Sequence, residues 1–330
     1  MKILFANIGW MKHYQGNTDT DYIKGGGAHP DARKHEVYNF QPVNGWYHGY
    51  AQPAGKTIDL NKIDEECSGD VLEDVLVVWV APYQGRKSRR IVGWYKHATV
   101  YRNFQKEKKG TRNGYAFNIK AKVEDSTLLP VMERTLDVPR SRRKGEGFSG
   151  RPTIWYADSD NPDVVRFRKK VWKYIHTYSP SAQPKPGKAG KAPKQYDQEA
   201  KKRVEEAAVN YVTEYFEKTL KYKVKSVEPE NKGWDLEAVS LEATKDDLKL
   251  YLEVKGLSGN AISVRITKNE YEKMKSNKDI YYLCVVTNAL TSPTLYTFEW
   301  NDEKEYLVSN DGNNYILKVE LIPSYHAYLE

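Results

Sequence analysis

Cysteine is scarce in this chain of 330 residues. Only Cys67 and Cys284 are present, in different halves and with no C-x-x-C pair. That argues against the usual thiolate zinc sites and against a disulfide framework, and it fits a reducing compartment. Long apolar runs are also missing. No stretch approaches the roughly 20 apolar residues of a membrane span, and the run that follows Met1 is too short for a secretory signal. The expected setting is cytoplasmic, with no membrane partner. No Walker A loop or dinucleotide-type glycine motif occurs, so ATP dependence is not expected, nor any small-molecule cofactor beyond a metal.

Acidic side chains are outnumbered, 44 against 52 basic ones. The net charge of +8 and a pI near 9.0 favour a polyanionic partner through counterion release, although ordinary solubility accounts for such a charge equally well. Hydrophobic residues make up 39% and mean hydropathy is −0.76, which together describe a well-solvated chain long enough for two cores. Aromatic residues reach 12%, a content that suits either base stacking or β-rich cores.

One segment breaks the pattern, and from Ser179 to Lys194 it has no large apolar residue. Residues 179–197 are rich in Pro, Gly, Ala and Lys and cannot bury enough surface to fold, so they read as a flexible linker between domains 1–178 and 198–330. Before the linker the chain reads as short strands, Ile3–Ile8, Leu76–Ala81, Ile91–Tyr95, Thr99–Tyr101 and Tyr115–Val123. Turn residues such as Gly25-Gly26-Gly27 and Asn44-Gly45 separate them, and a helix over Pro162–Tyr178 closes the domain. The sum is a mixed α+β domain built on a small barrel. After the linker, Val204, Ala207, Ala208, Tyr211, Val212, Tyr215 and Phe216 recur at helical spacing. Strands follow at Lys223–Val227, Gly233–Ala238 and Leu248–Lys255. A helix then starts at Lys268 behind the capping-box pattern Thr267-x-x-Glu270, and further strands lie at Ile280–Thr287, Leu295–Trp300 and Tyr315–Leu321. This is an α/β order with a mixed sheet.

The segment Lys249–Lys255 alternates, with Leu250, Leu252 and Val254 on one side and Glu253 and Lys255 on the other. An antiparallel hairpin with the strand containing Trp234-Asp235-Leu236 brings Asp235 beside Glu253. Two carboxylates so placed suit Mg²⁺, with Val254 between them in the metal-binding set, and Lys255 is suited to orient water against a phosphodiester. A simple ion pair between Glu253 and Lys255 on a solvated strand face is the competing reading.

The order Val204-Glu205-Glu206, Gly233-Trp234-Asp235, Glu253-Val254-Lys255-Gly256, Thr267-Lys268-Asn269-Glu270 and Tyr281–Val286 resembles the NO VEIN C-terminal-type branch of the PD-(D/E)XK nucleases over residues 198–300. The resemblance implies Asp235 and Glu253 as metal ligands, Lys255 as the catalytic lysine, and Glu205 as the helix carboxylate supporting the metal's water shell. Glu206 is the alternative for that last role. Asn269 and Glu270 also match the pattern, and helix capping is the preferred role for Glu270.

Aromatic blocks mark the first domain, around Trp10, Phe40, Trp46, Trp94 and Trp155. Strand-borne aromatics are usually core. The stretch Val78–Pro82 followed by Ile91–Arg102 resembles an EVE-type domain of the PUA superfamily, which implies a reader that extrudes a modified base into an aromatic pocket. Trp10, Trp46, Trp94 and Trp155 are the candidate walls, and Asn39 and Asp158 the candidate readers of a base edge. Basic clusters at 86–90, 140–144 and 166–170 are candidate phosphate contacts, chiefly Arg86, Arg89, Arg90, Arg142, Arg143 and Lys144, though such clusters are ordinarily solvated faces. Together the two resemblances imply a modification-dependent endonuclease on double-stranded DNA containing modified bases, with a modified cytosine expected. One active site cuts one strand, so double-strand scission calls for a homodimer, at least on DNA.

Overall fold

The structure is a computed structural model. It describes residues 1–18, 21–24, 35–53, 55, 57–82, 89–107, 114–141, 147–148, 153–178, 198–241, 249–302, 305–309 and 315–319. These fall into two compact units, 1–178 and 198–319. The expected linker, 179–197, and the Gly25–Gly27 turn lie outside the described residues. No helix among the described residues is long and apolar enough to cross a membrane.

The first unit contains β1 (Ile3–Asn7), β2 (Pro42–Val43), β3 (Trp46–Gly49), β4 (Val71–Pro82), β5 (Arg89–Lys106), β6 (Ala116–Lys122), β7 (Ser126–Leu128), β8 (Asp137–Val138), β9 (Ile154–Trp155) and α1 (Pro162–Thr177). The sheet runs β2-β3-β6-β5-β4-β1-β9, with β7 and β8 also paired to β5. Among the described residues β2 and β9 do not pair, so the path stays open and the expected barrel does not close. Two of the expected strands are one. Ile91–Tyr95 and Thr99–Tyr101 belong to the single strand β5, and the apparent break is a β-bulge. There His97 and Asp74 take left-handed φ of 48° and 59°, and the β4–β5 register shifts beside them. His97 Nδ1 lies 2.7 Å from Asp74 Oδ1. An extra residue in a ladder bends the strand, which lets one half of β5 pair with β7 and β8 and the other half with β6. The Asn44-Gly45 pair does make the two-residue turn of the β2–β3 hairpin, both residues at positive φ as that turn requires. Helix α1 starts where Asn161 Oδ1 accepts the Asp163 N–H at 2.9 Å. It buries Val164, Phe167, Val171 and Ile175 against the core around Phe5, Val78 and Trp94.

The second unit contains α2 (Gln198–Glu214), β10 (Tyr222–Ser226), β11 (Leu236–Ser240), β12 (Lys249–Gly256), α3 (Lys268–Ser276), β13 (Tyr281–Thr287), β14 (Thr294–Asn301), β15 (Tyr306–Ser309) and β16 (Ile316–Lys318). The expected Tyr315–Leu321 strand is confined to Ile316–Lys318, and its positions 320 and 321 lie outside the described residues. The strands pair in sequence order, all antiparallel except β12 with β13. That one parallel step needs a crossover, and α3 lies on it. Thr267 caps α3 through the complete capping box that the sequence predicts. Of the expected stripe on α2 and the π-helical turn after it, Val204, Ala208, Val212 and Phe216 are buried. Helix α2 comes very close to β12: a Cβ built on Gly256 would lie 2.6 Å from the Val204 carbonyl oxygen and 3.0 Å from Ala208 Cβ. Only glycine permits that approach.

Candidate active site

Strand β12 has two faces, and they carry different chemistry. Leu250, Leu252, Val254 and Gly256 share one, which α2 covers at Gly256. Tyr251, Glu253 and Lys255 share the other, in register with Tyr281, Leu283 and Val285 of β13. Tyr281, Leu283 and Val285 belong to the core that also holds Met274 of α3. The charged pair of β12 therefore lies on the side of the sheet that α3 covers.

Asp235 enters this site because β11 leaves the sheet there. Pairing of β11 with β12 ends at Leu236–Leu252. Asp235 N–H still donates to the Leu252 carbonyl at 3.0 Å, and the Asp235 carboxylate Oδ2 then accepts the Val254 N–H at 2.7 Å. Upstream, the chain turns through Asn231 and Gly233, at φ 45° and 89°. Gly233 packs so tightly on α3 that a Cβ would lie 2.7 Å from Lys273 Cγ. The Gly233 carbonyl accepts the Tyr281 hydroxyl at 2.9 Å. Trp234 stacks on Tyr251, centroids 3.9 Å apart.

Glu253 is 3% exposed, and its Oε1 lies 2.6 Å from Lys255 Nζ. Lys255 Nζ also donates to Glu270 Oε2 at 3.1 Å. Burial pushes the Glu253 carboxyl up to about 8; the Lys255 ammonium opposes this, while Asp235 and Glu270 add to it. Burial likewise raises Asp235, against the pull of the Val254 N–H and Lys255. For Lys255 burial works against the charged form, yet Glu253 and Glu270 together hold it above its ordinary value. Three carboxyl groups thus share one ammonium in a poorly hydrated place.

Residues 204–298 match the family model described as Protein NO VEIN, C-terminal. The second unit carries a NO VEIN C-terminal-type domain. No curated protein and no solved structure matches the chain. The matched stretch of the NO VEIN-type domain runs from Val204 in α2 to Phe298 in β14 and includes Asp235, Glu253, Lys255 and Glu270.

Within the NO VEIN-type domain, the structure brings Asp235, Glu253 and Lys255 together, with Val254 held by its N–H. It does not bring Glu205 to them. Glu205 is exposed and pairs with Lys201 at 3.4 Å; Glu206 pairs with Lys202 at 3.8 Å. The reason is the tight packing at Gly256, which commits α2 to the face of β12 opposite Glu253. Among the described residues no group of three or more His, Cys, Asp or Glu side chains gathers around a metal-sized space. Two neighbours were missed as site residues. Glu270, which matches the family pattern, takes the capping role expected of it, but the T-x-x-E pattern holds no sign that its carboxylate also reaches a lysine. Tyr281 acts across 48 positions, and no local signal points to it.

In the first unit the candidate pocket residues do not converge. Trp94 is 1% exposed and packs edge-on against Tyr174 and Tyr178. Trp155 packs on Phe5 at 4.7 Å and donates its Nε1–H to the Gly147 carbonyl. Both are core residues, not walls of an open cleft. Asn39 is fully buried and spends its amide on the Tyr50 backbone, accepting its N–H at 2.8 Å and donating to its carbonyl at 3.1 Å. Asn118 clamps Ala51 in the same way. Trp10 is buried beneath the Arg134 guanidinium, which donates to the carbonyls of Leu129, Met11 and Lys12. Trp46 is half-buried with Lys120 Nζ 4.1 Å above its ring, and Asp158 is exposed. Of the basic candidates, Arg90 is 1% exposed and lies 3.4 Å from Asp137 on the neighbouring strand, so it is a core ion pair and not a phosphate contact. Arg89 is half-buried near Arg140. Arg86, Arg142, Arg143 and Lys144 lie outside the described residues. On α1, Lys169 and Lys170 are exposed, Arg166 pairs with Asp163 at 2.9 Å, and Arg168 donates to the Ala157 carbonyl.

Proposed function

We propose that this protein is a Mg²⁺-dependent endodeoxyribonuclease whose active site is the Asp235–Glu253–Lys255 cluster. The observation that carries the reading is the clustering of charge in a buried place: Glu253 and Glu270 both pair with the Lys255 ammonium, Asp235 lies near enough to act on it, and burial, with Asp235 and Glu270 adding to it, pushes Glu253 up to about 8. Such a site gains from a divalent ion. Asp235 and Glu253 fit Mg²⁺, which is commonly held by one or two carboxylates with waters and phosphate oxygens completing its shell. The Val254 carbonyl would be the remaining protein ligand. When bound, the ion supplies Lewis acidity at a phosphodiester and eases ionisation of a water. Lys255 orients that water and offsets negative charge on the phosphate. Tyr281, through the Gly233 carbonyl, holds the turn that presents Asp235.

The finer reading is restriction of foreign double-stranded DNA that carries a modified cytosine, selected by the first unit and cut by a pair of copies. Its support is the EVE-type sequence resemblance and the exposed lysines of α1. Digestion of methylated, hydroxymethylated and plain duplexes of one sequence tests it, with Asp235→Asn as the inactive control. Cutting confined to modified duplexes is expected. Equal cutting of all three would remove the modification dependence and leave a nuclease of damaged or branched DNA. No cutting by the wild type on any of them overturns the nuclease reading.

A further inference from the structure

The Lys255 ammonium stands between carboxylates from two different elements. Glu253, on the same strand, is 2.6 Å away, and Glu270, on α3, is 3.1 Å away. Glu270 is itself fixed, because its Oε2 also accepts the Thr267 N–H at 2.9 Å in the capping box. Lysine is a compact charge on a flexible stem. Left to itself beside a buried carboxylate, it would remain there as the counter-charge. A divalent ion on the same Glu253 oxygen as the ammonium is disfavoured, since the two positive charges repel strongly where water is scarce. Loading of the site therefore favours movement of Lys255 away from Glu253 while it stays close. Some second anion must receive it, and α3 offers one that its own helix cap holds still.

We propose that Glu270 is a positioning residue that receives the Lys255 ammonium when a cation takes the Glu253 carboxylate, so that the lysine stays close without competing for that ligand. The proposal rests on the reading of Asp235 and Glu253 as metal ligands. It gives Glu270 no contact with substrate or ion. It also explains why a helix cap sits at this point of the fold: the cap anchors a carboxylate whose second task is electrostatic.

The test is titration of the full chain with Mg²⁺ alone, and with Ca²⁺ alone, by calorimetry and thermal unfolding. Glu270→Gln keeps the capping box, since Gln serves at that position as Glu does, and removes the charge. The expected result is a Kd for Mg²⁺ weaker by about 10–100-fold, with the unfolding temperature in cation-free buffer close to wild type. Thr267→Ala is expected to do the reverse, lowering the unfolding temperature and leaving the Kd unchanged. In Lys255→Met, which lacks the competing ammonium, adding Glu270→Gln is expected to change nothing further. Equal Mg²⁺ affinity in wild type and Glu270→Gln overturns the proposal while leaving the nuclease reading intact. Absence of any cation response in the wild type removes the metal site, and the positioning role with it.

Discussion

The Asp235 carboxylate accepts the Val254 N–H at 2.7 Å, so a side chain completes the ladder that strand β11 abandons one residue earlier. One carboxylate oxygen is tied to the backbone, and the group lies close enough to Glu253 and Lys255 to act on both electrostatically. Structure and chemistry are coupled at this residue, and substitutions can separate them.

Asp235→Asn retains an oxygen acceptor for Val254 and removes the charge. Its stability is expected to stay within about 1 kcal/mol of wild type, while Mg²⁺-dependent cleavage falls by about 100-fold or more. Asp235→Ala leaves the Val254 N–H unpaired and is expected to cost about 1–3 kcal/mol as well. Urea unfolding and a plasmid-nicking assay on the same preparations distinguish the two variants.

Glu253 makes stability depend on pH in an unusual direction. Burial holds its folded-state carboxyl up to about 8, above the ordinary 4.5. Between those values the unfolded chain has lost this proton and the folded chain keeps it. This contribution to stability is therefore largest at low pH, falls as pH rises from about 4.5 to about 8, and levels off above. Cation binding needs the ionised form and runs the other way: Mg²⁺ affinity is expected to rise with pH and flatten above about 8. Thermal unfolding at several pH values, with and without Mg²⁺, reads both slopes, and Glu253→Gln is expected to abolish both.

Gly256→Ala tests the packing that sets α2 on its face of the sheet. The added Cβ would lie 2.6 Å from a backbone oxygen, which cannot yield as a side chain can. A loss of about 1–3 kcal/mol is expected, the usual cost of overpacking. Unchanged stability in denaturant titration would mean that α2 does not approach β12 this closely.

Tryptophan substitutions separate core from surface in the first unit. Trp94→Ala and Trp155→Ala are expected to cost about 3–5 kcal/mol. Trp46→Ala, which loses mainly its contact with Lys120, is expected to cost under about 1 kcal/mol. Trp46 is therefore the one of the three whose effect on binding to duplex DNA can be measured free of unfolding.

Much of the second unit was legible in the sequence because its signals are local. The alternation from Tyr251 to Lys255 marks a strand with one polar face, and Thr267-x-x-Glu270 marks a helix start; both appear as read. The first unit was harder. A β-bulge at Asp74 and His97 makes one bent strand look like two short ones, and the unclosed path from β2 to β9 is a property of the whole sheet. Its tryptophans were visible as residues, but burial depends on what packs over them, and α1 supplies that from some 70 positions beyond Trp94.

By itself, the sequence determined that Glu253 and Lys255 point the same way, because side-chain alternation belongs to the strand. Only the tertiary structure decided which partners meet them. Helix α3 crosses from β12 to β13 over their face and delivers Glu270 to Lys255, whereas α2, drawn in by Gly256, settles on the other face and leaves Glu205 in solvent. Periodicity states which residues share a side of one element. The side of the sheet that the next element takes is set by packing between distant segments, and no local pattern encodes it.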